Sequence, residues 1–144
     1  MYSPEGLTFG PDGNLYISHG LFGQVLRYDG ITGDFIDVFA SGNGLHSPDS
    51  LTFGPDGNLY IANLSNNVLR YDGITGDFID VFVPEGSGGL DFARGVTFGA
   101  DGNLYVSSAT SDEILRYDGV TGDFIDVFAS NNSLDHPIGL IFVD

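Results

Sequence analysis

Apolar residues come in short runs separated by Asp-Gly pairs. In the first third of the chain the runs are Leu7-Thr8-Phe9, Leu15-Tyr16-Ile17, Val25-Leu26 and Phe35 to Phe39. Runs rich in Val, Ile, Leu, Phe and Tyr are strand chemistry. The frequent glycines argue against helix, where each costs about 1 kcal/mol against alanine. Four strands follow: A over residues 6–10, B over 14–18, C over 24–28 and D over 34–40. Gly10-Pro11-Asp12-Gly13 joins A to B as a tight turn, with Pro11 presetting φ and Gly13 free to take a positive φ. Asp29-Gly30-Ile31-Thr32-Gly33 joins C to D as a second short hairpin, so the unit is an antiparallel meander. Strands A and B show little alternation, as in strands covered on both faces. Strand D carries Asp34 and Asp37, which suits an outer rim where charge blunts an exposed edge.

The unit repeats. Leu7 to Ile17 recurs unchanged from Leu51 to Ile61, and Val96 to Val106 is a third copy. Val25 to Phe39 returns intact at Val68 to Phe82 and, with conservative changes, at Ile114 to Phe128. The period is 44 and then 45 residues, the length of a four-stranded blade in a radially stacked fold. The predicted fold is therefore an all-β propeller with three blades, over residues 6–40, 50–83 and 95–129. Residues 136–144 align with residues 3–11, giving a fourth copy of strand A, over 139–143, that has no blade of its own.

Closed propellers use about four to eight blades. A three-bladed arc leaves an apolar flank bare at each end, which soluble monomers rarely tolerate. A two-fold homodimer with six blades is the favoured closure, and a nine-bladed trimer is the alternative. The extra strand predicts a competition at that closure. Either residues 139–143 complete blade one of the partner and displace Leu7 to Phe9, or they fray. A fragment of a longer propeller and a recently amplified or engineered repeat both fit the sameness of the units.

The run from Gly6 to Ile17, followed by Val25-Leu26-Arg27-Tyr28-Asp29, closely resembles an NHL-type β-propeller repeat. It resembles more distantly the blades of gluconolactonase-like and streptogramin-lyase-like propellers. The resemblance covers nearly the whole chain, three times over. It implies a closed toroid, often of six blades, with strand A lining the channel and the D–A and B–C loops on a shared functional face. NHL-type repeats often carry Asp just after strand B. This chain departs from that pattern with His19, Asn63 and Ser108.

Charge narrows the partners. Four Lys or Arg stand against 20 Asp or Glu, for a formal net charge of -16. Nucleic acid and anionic membrane surfaces are excluded as partners, since both need cationic surface. There is no cysteine, hence no disulfide or thiol chemistry. The N-terminal MYSPEG has neither the basic segment nor the apolar core of a signal peptide, and it leaves the compartment open.

The candidate site is the channel mouth. Glu5, Asp49 and Arg94 hold matching positions just before strand A, where a carboxylate ring with one Arg could take a cation or small polar ligand. His19, Asn63 and Ser108 join them from strand B. The B–C and D–A segments vary while the turns at the other end stay constant, so any binding face lies there. The three histidines, His19, His46 and His136, lie in different loops without zinc-ligand spacing, so no metal site is assigned. No nucleophile elbow, phosphate loop or other catalytic set is present, so no catalytic residue is named. The repeated Asp12, Asp29 and Asp34 read as turn builders, with no cofactor beyond opportunistic calcium. Arg27, Arg70 and Arg116 read as structural, paired with the nearby Asp29, Asp72 and Asp118 and, across the hairpin, with Asp34, Asp77 and Asp123. A non-catalytic scaffold or binding module that self-associates is favoured. The competing reading is a metal-dependent enzyme in the lactonase or lyase manner.

Overall fold

A computed structural model describes residues 3–131 and 133–143. Three four-stranded antiparallel sheets follow one another along the chain. The first holds β1 (Pro4–Phe9), β2 (Leu15–His19), β3 (Gln24–Tyr28) and β4 (Phe35–Ser41). The second holds β5 (Pro48–Phe53), β6 (Leu59–Asn63), β7 (Asn67–Tyr71) and β8 (Phe78–Val83). The third holds β9 (Ala93–Phe98), β10 (Leu104–Ser108), β11 (Glu113–Tyr117) and β12 (Phe124–Ser130). Each sheet is a meander in sequence order, as propeller blades are.

The turns explain the constancy of the Asp-Gly segments. Asp12 accepts the backbone N–H of Asn14 at 3.0 Å, and Gly13 turns the chain at φ 80°. At the other hairpin Asp29 accepts the N–H groups of Ile31 and Thr32, at 2.9 and 2.8 Å. These bonds hold the exposed Asp29 carboxyl below its ordinary value of 3.8, and Asp72 and Asp118 repeat the arrangement.

The arginines pair with different carboxylates from those the sequence suggested. Arg27 makes a two-pronged bridge to Asp37, through Nε at 3.1 Å and Nη2 at 2.6 Å. Arg70 holds Asp80 and Arg116 holds Asp126 in the same way. The reason is register. Arg27 and Asp37 are direct partners across the β3–β4 ladder, whereas Asp29 and Asp34 are engaged in building the turn. Each guanidinium also lies over a strand-D phenylalanine, with Arg70 5.0 Å from the Phe82 ring centre.

Blades pack through tyrosines. Tyr16 of β2 is met edge-on by Phe39 of its own blade and by Phe53 of the next, both at 4.9 Å. Tyr60 repeats this with Phe82 and Phe98, again at 4.9 Å. Two core clusters result, one across the first interface and one across the second.

The extra copy of strand A departs from the expectation that, unpaired, it frays. Residues 138–143 join no ladder among the described residues, yet they do not fray away. They lie along the third blade, where Phe142 meets Tyr105 edge-on at 4.8 Å. The Ser107 hydroxyl donates to the Ile138 carbonyl at 3.1 Å.

Two predictions test these bonds. Replacing Arg70 by Ala removes a part-buried bidentate pair and should cost about 1 to 2 kcal/mol in urea unfolding, with Lys rescuing only part. An unchanged midpoint would refute the role. The depressed turn carboxyls add stability that is full above their unfolded pKa and lost as pH falls through the folded one. Asn at Asp29, Asp72 and Asp118 together, which keeps an acceptor but no charge, should flatten the melting temperature between about pH 5 and pH 2.

Candidate functional site

Strand pairing sets the geometry of the variable end. Pro4 opposes His19, His19 opposes Gln24, and Gln24 opposes Ser41. The start of strand A, the B–C loop and the end of strand D therefore share one end of each blade. The candidate residues all stand at this end, but they fall into two groups.

The first group is at the starts of the inner strands. Asp49 is buried and takes Nε of Arg94 at 2.7 Å, joining the second and third blades. Burial pushes the Asp49 carboxyl up, the Arg94 bridge opposes that shift, and the charge of Glu5 adds to it. Arg94 also lies over the Phe92 ring, at 5.6 Å. Glu5 is exposed and accepts the Ser3 hydroxyl. Asp49 and Arg94 therefore neutralise each other, and Glu5 alone offers an open carboxylate.

The second group is tied inside the scaffold. The Asn63 side chain is fully buried, donating to the Gly44 carbonyl and to Asn67 Oδ1, each at 3.0 Å. Its own Oδ1 accepts the His46 N–H at 2.9 Å. Ser108 is equally buried, accepting the Asp91 N–H at 2.8 Å and donating to the Asp91 carbonyl at 3.1 Å. Both residues fasten the incoming D–A loop to strand B. His19 is half-buried and stacks on Phe22, with ring centres 5.0 Å apart. The structure thus joins Asp49 to Arg94, sets Glu5 within electrostatic reach of Asp49, and uses Asn63 and Ser108 as loop anchors.

Sequence reasoning passed over Ser18 and Ser107. The Ser18 hydroxyl accepts the Gly6 N–H at 2.8 Å and donates to the Asp49 carbonyl of the next blade. A Cβ on Gly6 would come within 2.6 Å of that same carbonyl. The readable signal was a serine two residues beyond Tyr16 and Tyr105, opposite a glycine.

Among the described residues no group of three or more His, Asp or Glu is placed to hold a metal ion, and no helix is long and apolar enough to cross a membrane. A shallow open depression at the same end of the third blade is lined by Ser111, Asp112, Ser130 and Asp135, among others. The carboxylates of Asp12, Asp29 and Asp34 are engaged by Asn14, Tyr16 and Thr32 within their own turns.

No protein family matches the chain, and no curated protein does. Solved structures do. A virginiamycin B lyase from Staphylococcus aureus is 21% identical with a TM-score of 0.72, over 94% of this chain and 44% of the lyase. A nidogen/laminin complex chain is 20% identical with a TM-score of 0.78, over 95% of this chain and 51% of its own. The chain has the propeller fold. At these identities the likeness shows the fold alone and does not single out the NHL repeat. The computationally designed Ika4 protein, 14% identical with a TM-score of 0.67, is matched over 99% of this chain and 81% of its own. The chain spans less than half the length of the lyase structures it matches.

Arg94→Ala would leave the buried Asp49 carboxylate unpaired. Near neutral pH this should cost about 2 kcal/mol of stability. A carboxyl whose folded pKa is raised gives its stability below that pKa and loses it as pH rises. The deficit of the variant should therefore shrink as pH falls toward about 4. Melting curves of variant and parent across that range check this. A deficit independent of pH would contradict the pairing.

Proposed function

We propose that this chain is a non-catalytic binding or scaffolding module that closes by associating with a second copy of itself. Two arcs of three blades would make one six-bladed ring. One observation carries the reading: the blade interface occurs twice inside the chain, and its two halves are left open at the two ends.

The following-side half is read from strand D. Phe39 and Phe82 are 6% and 4% exposed, while their equivalent Phe128 is 49% exposed. The preceding-side half is read from strand C. Tyr71 and Tyr117 are fully buried and donate to carbonyls of the loop that leaves the preceding blade, at Gly42 and Ser87. The equivalent Tyr28 is part-exposed, and so is Leu26, where Leu69 and Leu115 are buried. Gly76 and Gly122 abut the Phe39 and Phe82 carbonyls so closely that a Cβ would collide, while Gly33 has open space. Each end lacks what the other offers. Two flanks of this kind would pair head to tail, and a two-fold ring uses the pairing twice.

The lyase match supports the ring size. This chain follows the lyase backbone over nearly its whole length and spans 44% of it, so two arcs approach one such protein. The NHL-type residues of the repeat support a scaffold role. The variable loops, gathered at one end around Asp49 and Arg94, would give the ring its binding face.

The test is mass in solution over a concentration series. The expected species has twice the 15.3 kDa of one chain, with three times that mass marking the trimeric alternative. Phe128→Asp should weaken the association roughly tenfold or more, since it sets a carboxylate in the closing interface. A single chain at every concentration would overturn the reading.

A further inference from the structure

Ring closure has a steric conflict, and the position of residues 138–143 resolves it. Within the chain, each inner strand lies against the preceding blade through repeated contacts. The Ser18 hydroxyl holds the Asp49 carbonyl, and Phe53 meets Tyr16 at 4.9 Å and 72°. Phe98 meets Tyr60 at 4.9 Å and 74°. On the third blade the C-terminal segment reproduces this set. The Ser107 hydroxyl holds the Ile138 carbonyl, and Phe142 meets Tyr105 at 4.8 Å and 66°. Leu140 and the Ile138 carbonyl crowd Gly95 as Leu51 and the Asp49 carbonyl crowd Gly6. The segment therefore lies where the inner strand of a following blade belongs. Its burial of β10 is complete: every residue of that strand is buried on both faces without a fourth blade.

The segment has taken the inner position without a strand to pair with. In the blades, β1, β5 and β9 each pair with the strand that follows. Residues 138–143 have no such partner among the described residues, and Ile141 and Val143 are 83% and 85% exposed. Their counterparts in the first copy are Thr8 in β1 and Gly10 just after it, so the segment is the more apolar copy. Meanwhile β1 is the least buried inner strand, with Leu7 68% exposed and Phe9 60% exposed. Its Glu5 adds a like charge beside Asp49, where the C-terminal copy carries Ile138.

Resting on the self-association proposed above, we infer that closure is a reciprocal strand exchange between two copies of this chain. Residues 138–143 stay on their own third blade and pair with β2 of the partner copy. The partner's β1 is displaced. Each first blade is then composed of one chain's inner strand and the other chain's three outer strands. The mouth loses both Glu5 carboxylates from the positions beside Asp49 and gains two Ile138 side chains.

Opposite responses of two full-length variants test this by analytical ultracentrifugation. Under exchange, Leu7→Asp leaves the dimer constant within about threefold, and Phe142→Asp weakens it roughly tenfold or more. If β1 stays and residues 138–143 leave, Leu7→Asp weakens the dimer, and Phe142→Asp tightens it by removing a competitor. That pattern, or insensitivity to both, overturns exchange while leaving self-association intact. A parent chain that is monomeric throughout overturns both readings. Crosslinking gives a second readout that does not depend on affinity. Leu7 opposes Ile17 in the β1–β2 register, and Leu140 is the copy of Leu7. The parent has no cysteine, so Ile17→Cys with Leu140→Cys should oxidise to a covalent dimer of twice 15.3 kDa. A pair that stays monomeric on oxidation, beside a control Leu7→Cys with Ile17→Cys that forms an intrachain bond, would refute the exchange.

Discussion

The structure depends on one repeated contact: a buried strand-B tyrosine held edge-on between a phenylalanine of its own outer strand and one of the next blade's inner strand. Tyr16 and Tyr60 make it, and Tyr105 makes its equivalent with Phe128 and with Phe142 of the C-terminal segment. Edge-to-face rings fix distance and angle as well as burying area. Each tyrosine hydroxyl also donates to the Asp of the A–B turn, at 2.9 Å, so the contact ties the turn to the core. Because half of each sandwich comes from a neighbour, a blade of this sequence is incomplete alone.

That incompleteness links fold to function. The arginine on strand C braces strand D from the side, bonded to an Asp and lying over the same phenylalanine that flanks the tyrosine. The few cations of this acidic chain are thus all committed within it, three to the blades and Arg94 to Asp49. What remains for partners is the apolar flanks and the loop end. On the proposed reading the first takes a second copy of this chain. The second is built from segments that differ between blades, on a scaffold that does not vary.

Much of this was legible in the chain itself. The recurrence of Leu7 to Ile17 and of Val25 to Phe39 announced blades, because identical segments carry the same local strand and turn preferences. The Asp-Gly turns announced hairpins through side-chain acceptors and positive φ. The arginine partners were misread because nearness along the chain was weighed above register. Asp37 is further from Arg27 in sequence than Asp29 is, but it faces Arg27 across the ladder. Alignment put Glu5, Asp49 and Arg94 at matching positions, and the structure pairs Asp49 with Arg94. Asn63 and Ser108 were not separable from them by sequence, since a buried loop anchor and an open ligand group are the same residue type until burial is known.

Local preference and repetition along the chain were enough to give the strand chemistry, the period and the number of blades. It took the folded arrangement to show which carboxylate each arginine holds, which polar side chains are spent inside the scaffold, and where residues 138–143 lie. Those outcomes turn on contacts between segments far apart in the chain, and a linear pattern carries no distance between them.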